Sequence, residues 1–193
     1  MKNKSAKVLL VFFLLELSVG INYATYGVEG RFAQYRFNKP DFENTQNIES
    51  VFRYYLSFLG ENISFSIIPR GVLISINSDI FFEDNDVELG EYSKQILVIF
   101  AELLKYVDKQ CLIESNTLLL NREGSIYNSH QEISIARADS VAKYLISTQS
   151  ISPDRIRTIG FGEKIPFYKS VINYPQMLQR IDFVVLNYEK FKQ

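Results

Sequence analysis

An α+β fold, one sheet with helices packed on it, is what this chain predicts for its C-terminal two thirds. Three observations carry that reading. From residue 70 the order is strand, helix, strand, helix, strand, short helix, strand, and alternation of this kind folds as one sheet with a helical layer. The 120 or so residues involved suffice for a core. Hydrophobic residues make up 47% of the 193 and charged residues 22%, the balance of a folded domain rather than a disordered, collagenous or multi-span chain. The length fits one main domain.

The elements follow in order. Ile48, Val51, Phe52, Tyr55, Leu56 and Leu59 recur at helical spacing and Gly60 follows as a stop. Residues 63–69, ISFSIIP, alternate and end at Pro69, the pattern of a short edge strand. GVLISI (71–76) is rich in β-branched residues and reads as a strand. A turn-rich stretch with Phe81 and Phe82 as apolar anchors comes next, and both rings read as core. Tyr92, Ile96, Ile99, Phe100 and Leu103 form a helical stripe. CLIES (111–115) is a strand and 116–131 a long polar loop. Ile135, Ala138, Ala142 and Leu145 mark a further helix, with Ser134 as candidate cap. Residues 155–160 form a strand, and Gly160 to Pro166 a glycine-punctuated loop. Residues 170–179 are a weak helix candidate broken by Pro175, and RIDFVVL (180–186) is the last strand.

The first residues have the form of an address. Lys2, Lys4 and Lys7 precede an apolar run, Val8 to Leu15, and Ser18 and Gly20 supply small residues for a cleavage site. A spanning helix needs about 20 apolar residues, and Glu16 interrupts after about half of that. Residues 1–20 are therefore expected to be a cleaved secretory signal. An uncleaved anchor and a buried core strand are the alternatives. Cleavage after Gly20 would move the formal charge from −1 to −3. Residues 21–66 are then an N-terminal extension with one amphipathic helix, and 68–187 the main domain.

Composition excludes much chemistry. A pI near 5.9 leaves no basic footprint for nucleic acid. The single cysteine, Cys111, rules out an internal disulfide and a Cys-based zinc site, and reads as a buried small residue. The single histidine, His130, rules out a His-rich metal site. No metal or cofactor is expected. No spacing points to a nucleophile–base pair or to paired carboxylates, so no enzyme is expected. Gly160-Phe161-Gly162 lacks the lysine and helix start of a phosphate loop.

Four segments, in order, resemble the OmpA-like peptidoglycan-binding domain shared by OmpA C-terminal regions, the Pal lipoprotein and the MotB stator protein. EISIARADSVAKYLI is similar to the family's signature helix, through Ser134, Arg137, Ala138, Val141, Tyr144 and Leu145. SPDRIRTIGFGEKIP resembles its strand and loop, with Gly160, Gly162, Glu163 and Pro166 in place. QRIDFVVL resembles the closing strand and keeps one arginine, Arg180. DIFFEDNDVEL resembles the early turn.

The resemblance implies non-covalent binding of cell-wall peptide. In the family an aspartate pairs with the ammonium of the stem peptide's diaminopimelate, and the helix arginine pairs with its carboxylate. Arg137 occupies the arginine's position. Leu118 stands where the aspartate would, Asn116 where a histidine would, Thr117 matches, and His130 replaces an asparagine. The implied peptidoglycan contacts are thus Arg137, Asn116, Thr117, His130 and Arg180, with Glu114, Glu123 or Glu132 as candidates to replace the lost acid. The implied setting is the periplasm, in association with the outer membrane. Membrane contact is expected only through an uncleaved N-terminus. Two alternatives remain: an OmpA-like fold that has lost wall binding and serves as a protein–protein scaffold, and a stator-like protein with Glu16 in the membrane.

Overall fold

A computed structural model describes residues 44–83, 86–117, 126–164 and 179–187. The expected signal segment, most of the N-terminal extension, Leu118, Glu123, Pro166 and residues 170–178 of the weak helix candidate lie outside these residues. Among the described residues no helix is long and apolar enough to cross a membrane.

The extension's helix is α1, Thr45–Leu56. Asn44 caps it, its side chain accepting the Gln46 N–H at 2.8 Å. Ile48, Phe52 and Leu56, at four-residue spacing, are its buried face. A 3₁₀ segment, Ser57–Asn62, contains Gly60 at φ +61°, which ends the helical run as the sequence predicts. The chain then enters β1 (Ile63–Ile68), turns at Pro69-Arg70 and returns as β2 (Gly71–Asn77). Helix α2 (Glu91–Val107), β3 (Cys111–Asn116), α3 (His130–Ser147), β4 (Ile156–Gly162) and β5 (Arg180–Leu186) complete the order.

The five strands lie in the order β1-β2-β5-β3-β4. The last strand inserts at the centre, antiparallel to both β2 and β3, while β3 and β4 run parallel. That central position explains why β5 reads as almost continuously apolar: all seven of its residues are buried.

Alternation along the strands separates two faces. Val72, Ile74, Ile76, Cys111, Ile113, Ile181, Phe183 and Val185 join the buried residues of α1, α2 and α3 in one core. Phe183 sits at its middle, 4.2 Å from the ring of Phe100 and 6.1 Å from that of Phe81. Helix α1 belongs to this same core, and β1 pairs along its own full length with β2. Cys111 is fully buried, and that burial pushes its thiol pKa up.

One cap differs from the sequence expectation. Helix α3 begins at His130, a full turn before Ser134, and its cap is Ser129, whose Oγ accepts the Glu132 N–H at 3.1 Å. Glu132 reaches back to accept the Asn128 N–H at 2.7 Å. This is a Ser-x-x-Glu capping arrangement in which both side chains satisfy otherwise unpaired donors.

Candidate functional site

The parallel strands β3 and β4 end beside the N-terminus of α3. Thr117 N–H donates to Gly162 O at 2.9 Å, and Asn116 Nδ2 donates to Lys164 O at 2.7 Å. The register shifts here: Ser115 pairs with Gly160 and Asn116 with Gly162, so β4 carries one extra residue, Phe161. Ser134 ties the helix to this bulge. Its Oγ accepts the Gly162 N–H at 2.9 Å and donates to Gln131 O at the same distance. Gln131 also donates through Nε2 to Gly160 O.

Both glycines are required by this contact. A Cβ at Gly160 would lie 2.4 Å from Ile135 N, and Gly162 sits at φ +55° with His130 and Gln131 backbone about it. The helix therefore rests directly on the strand's backbone. Its place at the start of the predicted helix makes Ser134 a candidate cap, and the resemblance makes it a landmark. Its observed role is to bridge α3 and β4, and its signal in the sequence is a small hydroxyl on the face of the helix that meets two glycines.

Asn116, Thr117 and His130 thus gather around Gly162. Asn116 and Thr117 are buried, and Thr117 Oγ1 has no hydrogen-bond partner. His130, the first residue of α3, lies at the surface with Nδ1 3.5 Å from Glu163 Oε2.

Arg137 is two turns further along α3, about 10 Å along the axis from His130. It is 4% exposed. Its Nε donates to Asp86 O at 2.9 Å and its Nη2 to Glu83 O at 3.0 Å. The guanidinium carbon lies 5.0 Å from the centre of the Phe82 ring. Phe82 is core, as expected, but the expectation that it is core and not a stacking platform is corrected: its ring also faces the arginine. The two carbonyl oxygens and the ring face hold the guanidinium in a fixed direction.

Arg180 takes a different position. Its side chain belongs to the sheet face turned away from the helices, in register with Asn77 and Asn116. There it is 4% exposed, with Nε 3.0 Å from Asp182 Oδ2. The three candidate replacement acids separate as well. Glu114 alternates onto this far face and accepts from Arg70 Nη2 at 3.1 Å, so the sheet lies between it and Arg137. Glu132 serves the α3 cap. Glu123 lies outside the described residues. Among the described residues no cluster of three His, Cys, Asp or Glu is placed to hold a metal ion.

This arrangement of sheet and helices is shared with solved structures. A putative MotB-like protein from Desulfovibrio vulgaris superposes with a TM-score of 0.64 at 19% identity, over 76% of this chain and 93% of that one. The T6SS cell wall anchor from Pseudomonas aeruginosa gives 0.58 at 19% identity, over 72% and 96%. The periplasmic domain of Helicobacter pylori MotB gives 0.56 at 15% identity, over 64% and 81%. Among curated protein sequences none matches. Residues 81–173, from Phe81 past β4, match the model of the OmpA family. The five-stranded sheet, the α3–β4 contact and that match agree: residues 81–173 of the chain match the OmpA family, within a domain that shares its fold with these solved structures.

Proposed function

We propose that the chain is an envelope protein that binds peptidoglycan non-covalently and tethers the envelope to the wall, with Arg137 holding a stem-peptide carboxylate. The observation that carries this reading is the setting of Arg137: a guanidinium nearly removed from water, aimed by the Glu83 and Asp86 carbonyls and the Phe82 ring. A desolvated, preoriented guanidinium pairs more strongly with a carboxylate than one free in solvent. Thr117, at the end of β3 with its Oγ1 unpartnered, supplies a polar contact for the rest of the peptide. One relative in fold is described as a cell wall anchor, which agrees with this reading. Export by the N-terminal segment and residence in the periplasm belong to the same proposal.

A second reading has its own observation. Leu118 replaces the family's aspartate, and Asn116 Nδ2 already donates to Lys164 O. Such a site holds the carboxylate half of a diamino acid and not its ammonium, which suits a scaffold that has left wall binding behind. Sedimentation with purified wall sacculi separates the two. The binding reading expects the protein in the pellet, and Arg137→Ala to shift most of it to the supernatant. Removing one partner of a desolvated charge pair costs about 2–5 kcal/mol. Wild-type protein that stays in the supernatant supports the scaffold.

A further inference from the structure

Asn77, Arg180 and Asn116 stand side by side at one end of the sheet. One step further, alternation returns the chain to the helix side. Ser78, Gln179 and Thr117 form a row there, and Ser78 N–H donates to Gln179 O at 3.1 Å. Every member of the row is neutral. Ser78 and Thr117 are at most 1% exposed, and neither hydroxyl has a hydrogen-bond partner. Gln179 between them is half-buried. A buried hydroxyl left unpaired is costly. Two of them in one row mark a place that receives a further polar group.

Contacts at both ends tie this row to Arg137. Phe82 N–H donates to Ser78 O at 2.9 Å, and the Phe82 ring lies against the guanidinium. At the other end Thr117 N–H donates to Gly162 O, and Gly162 is held by Ser134, one turn before Arg137 on α3. The nearby acids are directed elsewhere. The Asp86 carboxylate accepts the Val87 and Glu88 N–H groups at 2.6 and 3.0 Å. Glu132 serves the α3 cap, Glu163 lies beside His130 at the surface, and Glu83 is exposed.

We infer that the site selects a stem-peptide residue whose side-chain amine is already acylated, as in a cross-link between two stems, over one whose amine is free. This rests on the wall-binding reading and adds to it the group that sits next to the bound carboxylate. A free amine is an ammonium. Beside a guanidinium nearly removed from water it is repelled, because like charges interact more strongly where water is excluded. Acylation removes that charge and leaves one N–H to donate and one carbonyl to accept. A hydroxyl meets either of these, and the Gln179 amide meets both. A row of neutral groups therefore matches an amide, whereas a row containing a carboxylate would match an ammonium.

The test is calorimetric titration of the full chain with two soluble stem peptides that differ only in acetylation of the side-chain amine. Both keep the neighbouring carboxylate. The acetylated peptide is expected to bind several-fold more tightly. Gln179→Glu puts a carboxylate into the row at its half-buried position and is expected to reverse the preference. Thr117→Val keeps the shape, removes the hydroxyl and is expected to weaken the acetylated peptide alone. Equal binding of the two peptides, tighter binding of the free amine, or a Gln179→Glu variant with the wild-type preference overturns the inference. If Arg137→Ala then still weakens both peptides, the carboxylate reading stands without it. If neither peptide binds the wild-type chain, both fall.

Discussion

Arg137 shows how one residue type acquires its role from its surroundings. A surface arginine on a helix is a solvated charge of little consequence. Here the same side chain is drawn under the Glu83–Asp86 loop, and its Nε and Nη2 are spent on two carbonyls. Arg137→Lys keeps the charge and loses the fork. The binding account expects it to weaken wall binding nearly as much as alanine does, because an ammonium cannot meet two carbonyls and a carboxylate in one plane. Sacculi titrations of the two variants check this. The glycines give a second prediction. Gly160→Ala places a methyl group against Ile135 N and is expected to cost about 1–3 kcal/mol in denaturant unfolding, as overpacking does. Cys111 gives a third. Burial holds its thiol protonated, and only the thiolate is nucleophilic. A thiol reagent at neutral pH is expected to label it in unfolded protein and to leave the folded protein unmodified.

At the scale of elements, most of the described chain is legible in the sequence and the exceptions have physical causes. The α1 stripe, β2, α2, β3 and β5 follow from apolar spacing alone, because each buries one face or both. Helix α3 starts a turn before the point that its apolar spacing predicts. Its first turn carries few apolar residues, and the Ser129–Glu132 cap is a local hydrogen-bond pattern rather than a hydrophobic one. Ser129→Ala removes that cap and is expected to lower stability by about 1 kcal/mol, read as a shift in the denaturant midpoint. Glu114 was not assignable from sequence. Its partner Arg70 is 44 residues away, and only the sheet's strand order brings them together. Arg180 was named for the site on its motif. Its observed partner, Asp182, is two residues on and on the same strand face, a spacing that the sequence does display.

Across the whole molecule, the two faces of the sheet divide the work. The helix face makes the core and aims Arg137. The far face buries an ion pair, Arg180 with Asp182, in which both side chains are at most 5% exposed. Removing one member of a buried ion pair is strongly destabilising, so Asp182→Ala is expected to cost about 3–5 kcal/mol. The exposed pair Arg53–Glu49 on α1 is expected to yield no measurable change on the same substitution, and chemical denaturation of both variants makes the comparison. The central claim is that the guanidinium of Arg137 receives a stem-peptide carboxylate. It is tested most directly by NMR, titrating the purified protein with a soluble stem peptide carrying a free carboxylate and following the Arg137 Nε–H signal. The account predicts a saturable shift of that signal together with the Thr117 and Gly162 amides. An Arg137 signal that stays in place through the titration would contradict it.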